Sequence, residues 1–148
     1  MGPIQINYGV NYYPNTGSWL SVYGWSINPL VEFYIVENSD LKYITKLKPK
    51  GTAVIDGCAY NFYDELRVEK PSISGVKTFR QYWSVRTSKR AKGIVSITEH
   101  FNAWEKLGMN LGSIIEISFA VEGIQSSGAA EVYRNVLTVG DNVTGISA

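Results

Sequence analysis

Two glutamates on strand-like segments are the residues best suited to chemistry in this chain. Glu32 lies within residues 31–37, and Glu122 follows the run 117–121; both runs are otherwise aromatic, aliphatic or small, apart from Glu37. Burying an ionised carboxylate is costly unless the group is paired or has a task. The chain also has ten tyrosines and four tryptophans, whose flat faces can stack on sugar rings. Two carboxylates among aromatic residues indicate hydrolysis of a sugar chain.

Alternation along the strands assigns each glutamate to a face, because every second side chain of a strand points the same way. Glu32 shares a face with Tyr34, and Tyr23 shares one with Trp25 one strand earlier. The other face of the Glu32 strand is predicted to be core, formed by Val31, Phe33 and Ile35. Alternation alone also allows both glutamates to be ordinary solvent-facing residues of a half-exposed antiparallel sheet.

The strand that ends at Glu122 has the same organisation. We expect its core side to be formed by Ile117, Phe119 and Val121. Its other side carries Glu116, Ser118, Ala120 and Glu122. The small residues beside Glu122 would leave room for a ligand.

Period-two segments separated by turn residues predict an all-β chain. We predict strands at residues 8–13, 19–25, 31–37, 52–55, 59–68, 79–87, 93–97, 114–121 and 130–139. Turns are predicted at 14–17 and at 71–75, the second a tight hairpin tip. One helix is predicted at 99–107, with Gly108 as its stop. Many strands with one short helix are typical of an antiparallel sandwich or jelly roll.

Composition excludes several classes of function. A chain of 148 residues favours one domain, and a formal net charge of +1 with scattered Lys and Arg gives no sign of nucleic-acid binding. No apolar stretch is long enough to span a membrane, and the first residues do not form a signal peptide. One cysteine and one histidine form neither an internal disulfide nor a zinc site, so no metal is expected.

Several blocks of the chain resemble the glycoside hydrolase family 11 xylanases. The blocks are Tyr23-Gly24-Trp25, residues 29–37, Arg67 before 71–73, and residues 79–86, 100–104, 108–112 and 121–128. They are colinear from about Ile6 to Val139. The resemblance implies an all-β jelly roll of two curled antiparallel sheets with one short α-helix. We expect a single such domain over residues 1–148, shortened at its N-terminus relative to the family.

The resemblance implies endo-hydrolysis of β-1,4-xylosidic bonds in xylan with retention of configuration and no cofactor. Glu32 falls at the position of the family's nucleophile and Glu122 at that of its general acid/base. In such a pair the carboxyl groups lie about 5–5.5 Å apart, so that one attacks the anomeric carbon while the other protonates the leaving oxygen. The acid must hold its proton near neutral pH, which a neighbouring negative charge favours.

Further roles are implied by position. Tyr23 and Tyr34 match tyrosines that hydrogen-bond the sugar beside the nucleophile, and Arg67 matches a cation near it. The remaining substrate-binding candidates are Trp25 on the cleft wall, Gln81 lining the cleft, and Pro71 and Ile73 at the tip of a mobile hairpin. His100 matches a structural histidine that hydrogen-bonds a serine, here Ser84.

The chain also departs from the family pattern. Strands that precede the position of Ile6 in the family have no counterpart, and Glu116 stands where tyrosine is frequent. Unpaired sheet edges invite association, so we expect lower stability and self-association at the missing edge. Two alternative functions stay open: an inactive or weakly active xylan-binding domain, and a fragment that needs a partner to complete its sheets. The expected substrate is xylan or a xylo-oligosaccharide, which implies a secreted protein.

Overall fold

A computed structural model describes residues 3–13, 18–39, 47–123, 129–140 and 142–146. For residues 11–13, 18, 122, 123, 129–131, 133 and 142–146 it describes the backbone alone. Within these ranges, none of the helical structure has the length and apolar character needed to cross a membrane.

In the described parts of the chain, ten strands form two stacked sheets, and one helix packs against them. In chain order they are β1 (Ile4–Tyr13), β2 (Ser18–Ile27), β3 (Val31–Ser39), β4 (Gly51–Ile55), β5 (Cys58–Ser72), β6 (Gly75–Arg86), β7 (Lys92–Ser96), α1 (Ile97–Lys106), β8 (Ser113–Gly123), β9 (Ala129–Val139) and β10 (Asn142–Ile146). The four-stranded sheet has the order β10-β9-β1-β7, and the six-stranded sheet has the order β4-β5-β6-β3-β2-β8. This is the jelly-roll architecture that the resemblance implies.

The main core lies between the two sheets and is closed by α1. It is built from the inward faces of both sheets, including Ile6 and Tyr8 of β1 and Phe33 and Ile35 of β3. Trp104 of α1 packs on Phe33, with ring centroids 5.9 Å apart. The predicted core face of β3 is therefore confirmed. Because that face is fully buried, the register of β3 is fixed and its alternate residues must point away from the core.

The second cluster of buried side chains covers the opposite face of the six-stranded sheet. Its members are Trp19, Tyr34, Val36, Tyr63 and Trp83. We call this side of the sheet the cleft face, and it is the face to which Glu32 belongs. A sheet buried on both faces needs apolar residues at nearly every position of its central strands, which explains the near-continuous apolar run of β3.

The structure departs from the sequence predictions in several respects, and β1, β5 and β6 are longer than predicted. Strand β7 ends at Ser96 because Ile97 already begins α1, and β10 was not predicted. Strands β3 and β6 pair in parallel, whereas an entirely antiparallel sheet was expected. The exposed fraction of Val121 is 39% although the alternation assigned it to the core, because β8 lies at an end of the described sheet. The predicted turn at 14–17 lies outside the described residues.

Close packing of β2 against its neighbours fixes the centre of the cleft face. A Cβ atom added at Gly24 would lie 2.3 Å from the ring of Phe33 and 2.3 Å from the backbone oxygen of Glu116. Any side chain at this position would therefore push β2 away from β3 or β8. Glycine between Tyr23 and Trp25 lets the three strands stay in register while the two flanking rings stand on the cleft face.

Candidate active site

Glu32 lies half-buried at the middle of the cleft face and is held by neutral hydrogen-bond donors. The phenol of Tyr23 donates to Oε2 at 2.7 Å, and the side-chain nitrogen of Gln81 donates to Oε1 at 2.6 Å. The phenol of Tyr34 lies 3.5 Å from Oε2, a longer and weaker contact. Each carboxylate oxygen is thus oriented by a donor from a neighbouring strand.

Tyr23 is itself oriented by Trp25. The indole Nε1 of Trp25 donates to the Tyr23 oxygen at 2.7 Å, so the phenol proton is directed at Glu32. Burial raises the pKa of Tyr23 well above its ordinary value, and the hydrogen bond to Glu32 and the charge of Glu32 raise it further. The phenol therefore remains protonated, and so a donor, at neutral pH. Tyr23 and Trp25 share a face, as predicted, and together they form a chain of hydrogen bonds that ends at the carboxylate of Glu32.

Gln81 is oriented by a residue that the sequence interpretation did not single out. The indole nitrogen of Trp83 donates to the side-chain oxygen of Gln81 at 3.1 Å, which turns the amide nitrogen towards Glu32. Trp83 also stacks on Tyr34, with ring centroids 4.1 Å apart and an interplanar angle of 9°. The signal for Trp83 was its spacing, because a residue two positions after Gln81 on a strand must share its face.

Trp19 extends the aromatic surface away from Glu32. Its ring makes edge contacts with Tyr34 and Trp83 at centroid distances of 6.1 and 6.4 Å. In the other direction, Trp25 contacts Phe79 at 5.2 Å. The candidate nucleophile is thus flanked along the cleft face by aromatic side chains on both sides.

The backbone position of Glu122 is described, but its side chain lies outside the described residues. Glu122 is paired with Trp19 across the β2–β8 ladder. Directly paired residues of neighbouring strands belong to one face of a sheet, so position 122 falls on the cleft face. The predicted spacing of the two carboxyl groups stays a prediction.

Arg67 lies on β5, and its guanidinium is 4.0 Å from the carboxylate of Glu65. The resemblance implies a cation near Glu32 at this position, and that role stays a prediction. The ion pair that the structure shows for Arg67 is with Glu65, two residues earlier on the same strand. The ladder pairs Arg67 with Phe79 and Glu65 with Gln81, so both side chains belong to the cleft face. Arg67 therefore contributes to the charge of the cleft rim.

Pro71 and Ile73 lie at the outer end of the β5–β6 hairpin, as predicted. Pro71 is paired with Val76, and Ile73 is 46% exposed. The turn is held internally, because the hydroxyl of Ser72 donates to the Gly75 carbonyl at 2.6 Å and accepts from the Ser74 amide at 3.0 Å. The structure thus gives the tip a fixed local shape at the end of a long two-stranded arm.

A second carboxylate of β3, Glu37, lies on the core side and is fully buried. The guanidinium Nε of Arg90 donates to it at 2.8 Å, and the phenols of Tyr8 and Tyr60 donate to its two oxygens. We call these four side chains the Glu37 cluster. It links β3 to β1 of the other sheet, and the sequence interpretation did not identify it. Burial, and then the charge of Glu37, raise the pKa of both tyrosines, which keeps them as donors.

The predicted contact of His100 is confirmed. Its Nδ1 lies 2.9 Å from the hydroxyl of Ser84, which also accepts a hydrogen bond from the indole of Trp104 at 2.8 Å. The imidazole is fully buried, and burial lowers its pKa to about 3, with the charge of Arg90 as a lesser cause. His100 is therefore a neutral core residue on the side of the sheet away from Glu32.

The arrangement around Glu32 suits a carboxylate that reacts. Neutral donors fix the direction of both oxygens, and no cation of a described residue lies against them. The neighbouring aromatic rings are packed against one another and largely buried, which holds this part of the face rigid. Such a carboxylate can attack an electrophilic carbon once a second carboxyl group protonates the leaving oxygen.

Comparison with known proteins agrees with this geometry. The sequence model of Glycosyl hydrolases family 11 matches residues 2–133 of the chain. The chain belongs to glycosyl hydrolase family 11. Among its family 11 relatives, an endo-1,4-beta-xylanase A of Thermoclostridium stercorarium is 51% identical over 144 residues, which is 97% of this chain and 22% of that protein. An endo-1,4-beta-xylanase A of Bacillus pumilus is 47% identical over 95% of this chain and 61% of that protein.

Solved structures of family 11 proteins share the fold. An endo-1,4-beta-xylanase of Trichoderma reesei superimposes with a TM-score of 0.79 and 45% identity, covering 86% of this chain and 73% of that one. The wild-type ENZbleach xylanase superimposes with a TM-score of 0.83 and 32% identity, covering 99% of this chain and 64% of that one. The family 11 chain described here spans between about a fifth and three fifths of the length of the two curated relatives named above.

Proposed function

We propose that this chain hydrolyses internal β-1,4-xylosidic bonds of xylan by a retaining double displacement. The observation that carries the proposal is the half-buried carboxylate of Glu32, which neutral donors orient on a sheet face lined by aromatic rings. Family 11 membership and relatives named as endo-1,4-beta-xylanases support the substrate and the reaction.

In the proposed first step Glu32 attacks the anomeric carbon and Glu122 donates its proton to the leaving oxygen. A covalent glycosyl-enzyme forms and the shortened chain departs. In the second step Glu122 takes a proton from water, and the resulting hydroxide displaces Glu32 with restored configuration. Tyr23 and Gln81 hold the carboxylate of Glu32 in line throughout.

Substrate binding is assigned to the aromatic side chains beside Glu32 and to the hairpin. Trp25 and Tyr34 border the sugar at the cleaved bond, and Pro71 and Ile73 at the hairpin tip contact the chain from above. Two further parts of the proposal are action outside the cell, where a polymer such as xylan is found, and self-association through the edge of the sheet at β8.

Release of reducing sugar from soluble xylan tests the proposal. The parent chain is compared with Glu32→Ala and Glu122→Ala, each checked for folding by near-ultraviolet circular dichroism. Release by the parent that disappears in both variants is the expected result. A folded parent chain that releases no sugar would refute the proposal. An inactive chain that is retained on insoluble xylan would favour the alternative of a xylan-binding domain. An inactive chain that forms a defined oligomer would favour the alternative of a fragment that needs a partner to complete its sheets.

A further inference from the structure

One cross-strand row of the cleft face carries the candidate nucleophile and two further carboxylates. Direct Cα pairing joins, in order, Glu65, Gln81, Glu32, Trp25 and Glu116. Neighbouring strands are about 4.8 Å apart. Glu65 and Glu116 are each two strands from Glu32, so they stand about 10 Å to either side of it.

The two outer carboxylates differ in whether a cation of a described residue lies beside them. Glu65 has the guanidinium of Arg67 at 4.0 Å. The carboxylate of Glu116 forms no hydrogen bond and no ion pair with any residue that the structure describes, although its backbone belongs to the β2–β8 ladder. Its charge reaches the site nevertheless, since it adds to the raised pKa of Tyr23 as a minor contributor after burial and the contacts with Glu32. At the β8 end of the row, no cation of a residue whose side chain is described lies within ion-pair distance of the Glu116 carboxylate.

The position of Glu116 relative to Glu32 is fixed by the backbone. Its carbonyl oxygen packs against the α-carbon of Gly24 so closely that no side chain fits there. The β2–β8 ladder shifts its register just beyond, between Trp25 and Ser26. Glu116 is half-buried and directly paired with Trp25, whose ring borders the candidate nucleophile. A sugar chain lying across the strands along this row passes Glu116 close to the bond that is cleaved.

We propose that Glu116 determines specificity in this cleft by disfavouring xylan whose side groups are acidic sugars near the cleaved bond. Neutral xylan chains bind without this penalty. The proposal rests on the proposed function, because it assigns the class of xylan that the same site accepts. Glu116 acts through its charge and takes no part in bond cleavage.

The expected size of the effect follows from the separation between the Glu116 carboxylate and a uronic acid bound beside the cleaved bond. This separation is taken as the distance from Glu116 to Glu32, about 10 Å. Two unit charges about 10 Å apart change an equilibrium by a factor of about 2 in water and by about 10 or more at an effective dielectric constant of 20. Salt screens charges over about 10 Å at 0.1 M ionic strength. Discrimination against acidic chains should therefore be largest at low ionic strength and should fade as salt is added.

The test compares two substrates that differ only in charge: glucuronoxylan, and the same polysaccharide with its uronic acids chemically reduced to neutral sugars. For each protein the ratio of kcat/KM on the acidic substrate to kcat/KM on the reduced substrate is measured. We expect Glu116→Gln to raise this ratio about 2- to 10-fold at low salt. The gain should shrink when the ionic strength is raised to about 1 M.

Two control variants separate local charge from other causes. Glu116→Asp keeps the charge and should leave the ratio at the parent value. Glu105→Gln removes one negative charge from the exposed side of α1, away from the cleft, and should also leave the ratio unchanged. A ratio that Glu116→Gln does not alter, or that Glu105→Gln alters equally, overturns the proposal.

Failure of the proposed function would give a different result, namely no hydrolysis of either substrate by a folded parent chain. In that case calorimetric titration with the two polysaccharides tests the charge claim directly. The parent must bind the reduced polysaccharide more tightly, and Glu116→Gln must narrow the difference. Equal binding of both substrates, or binding of neither, would overturn the inference.

Discussion

The two carboxylates of β3 have the same side chain but opposite surroundings. Glu32 is half-buried on the cleft face, and its hydrogen-bond partners, Tyr23, Tyr34 and Gln81, are all neutral. Glu37, five residues further along, is fully buried and is paired with the cation of Arg90. The first carboxylate is partly exposed and has only neutral hydrogen-bond partners, whereas the charge of the second is compensated by a cation inside the fold.

Strand β3 thus carries the candidate nucleophile on one face and a carboxylate that stabilises the fold on the other. Burying a charge is tolerated when an opposite charge and further hydrogen bonds compensate it, and the Glu37 cluster supplies both. A cation in contact with Glu32 would neutralise the carboxylate in the same way and lower its nucleophilicity. The two faces of β3 therefore predict opposite responses to the same substitution.

Removal of the carboxylate of Glu32 should have the largest effect on rate. Glu32→Gln keeps the size of the side chain but removes the nucleophile, so we expect kcat on xylan to fall by about 10⁴-fold or more. The free energy of unfolding should change by less than about 1 kcal/mol, because the site is half-exposed. Initial rates and urea unfolding measure the two quantities. A variant that retains a tenth of the parent rate would show that Glu32 is not the nucleophile.

Removal of the carboxylate of Glu37 should have the largest effect on stability. Glu37→Leu leaves the partly buried guanidinium of Arg90 without its counter-charge, so we expect a loss of about 3–5 kcal/mol in the free energy of unfolding. The rate per folded molecule, measured at low temperature, should stay near that of the parent. The matched double variant Glu37→Leu, Arg90→Met should recover much of the lost stability. A loss below 1 kcal/mol in the single variant would mean that the cluster does not stabilise the fold.

Removing one tyrosine hydroxyl that donates to each carboxylate sharpens the comparison. Tyr23→Phe removes the donor at 2.7 Å from Glu32, and a hydrogen bond to a charged group is worth about 1.5–3 kcal/mol. We expect kcat to fall by about 10- to 100-fold with little change in stability. Tyr8→Phe removes the donor at 3.1 Å from Glu37 and should lower stability while leaving kcat unchanged. Reversed effects would contradict the division between the two faces.

Lowering the pH should reduce the free energy of unfolding through His100, a core residue that lies beside the Glu37 cluster. Its ring meets that of Tyr60 at a centroid distance of 4.5 Å, and its pKa is lowered from 6.5 to about 3. The unfolded chain binds a proton below pH about 6.5 while the folded chain does not. Stability from this residue is therefore complete above that pH and is lost as the pH falls towards 3, by up to about 1.4 kcal/mol per unit.

Urea unfolding between pH 7 and pH 4 measures this dependence. The variant His100→Asn keeps a polar group next to Ser84 but cannot take up the proton. We expect its stability to depend less steeply on pH than that of the parent over this range. Equal slopes for the two proteins would show that protonation of His100 is not coupled to unfolding.

Strand periodicity predicted the parts of the site that depend only on alternation. The core face of β3 and the shared face of Tyr23 and Trp25 follow from a period of two, and the roles of Gln81 and the hairpin tip came from the resemblance. Trp83 could have been inferred by the same rule, since it lies two residues after Gln81. These features need no knowledge of which strands are neighbours.

The remaining features depend on strand order, which periodicity does not determine. Arg90 lies 53 residues after Glu37, and only the parallel pairing of β3 with β6 brings the end of β6 beside it. The row that joins Glu65 to Glu116 likewise requires the order of five strands. Val121 of β8 was assigned to the core because alternation does not reveal that β8 lies at an end of the described sheet.

The most direct test of the account is to trap the covalent intermediate that it requires. A xylobioside with fluorine at C2 and a good leaving group should react once per molecule and release the leaving group in a single burst. Peptide mass spectrometry should then find the sugar on the peptide that contains Glu32, and Tyr23→Phe should slow its attachment. A sugar attached to another carboxylate, or hydrolysis of xylan without any attachment, would contradict the assignment of Glu32 as the nucleophile.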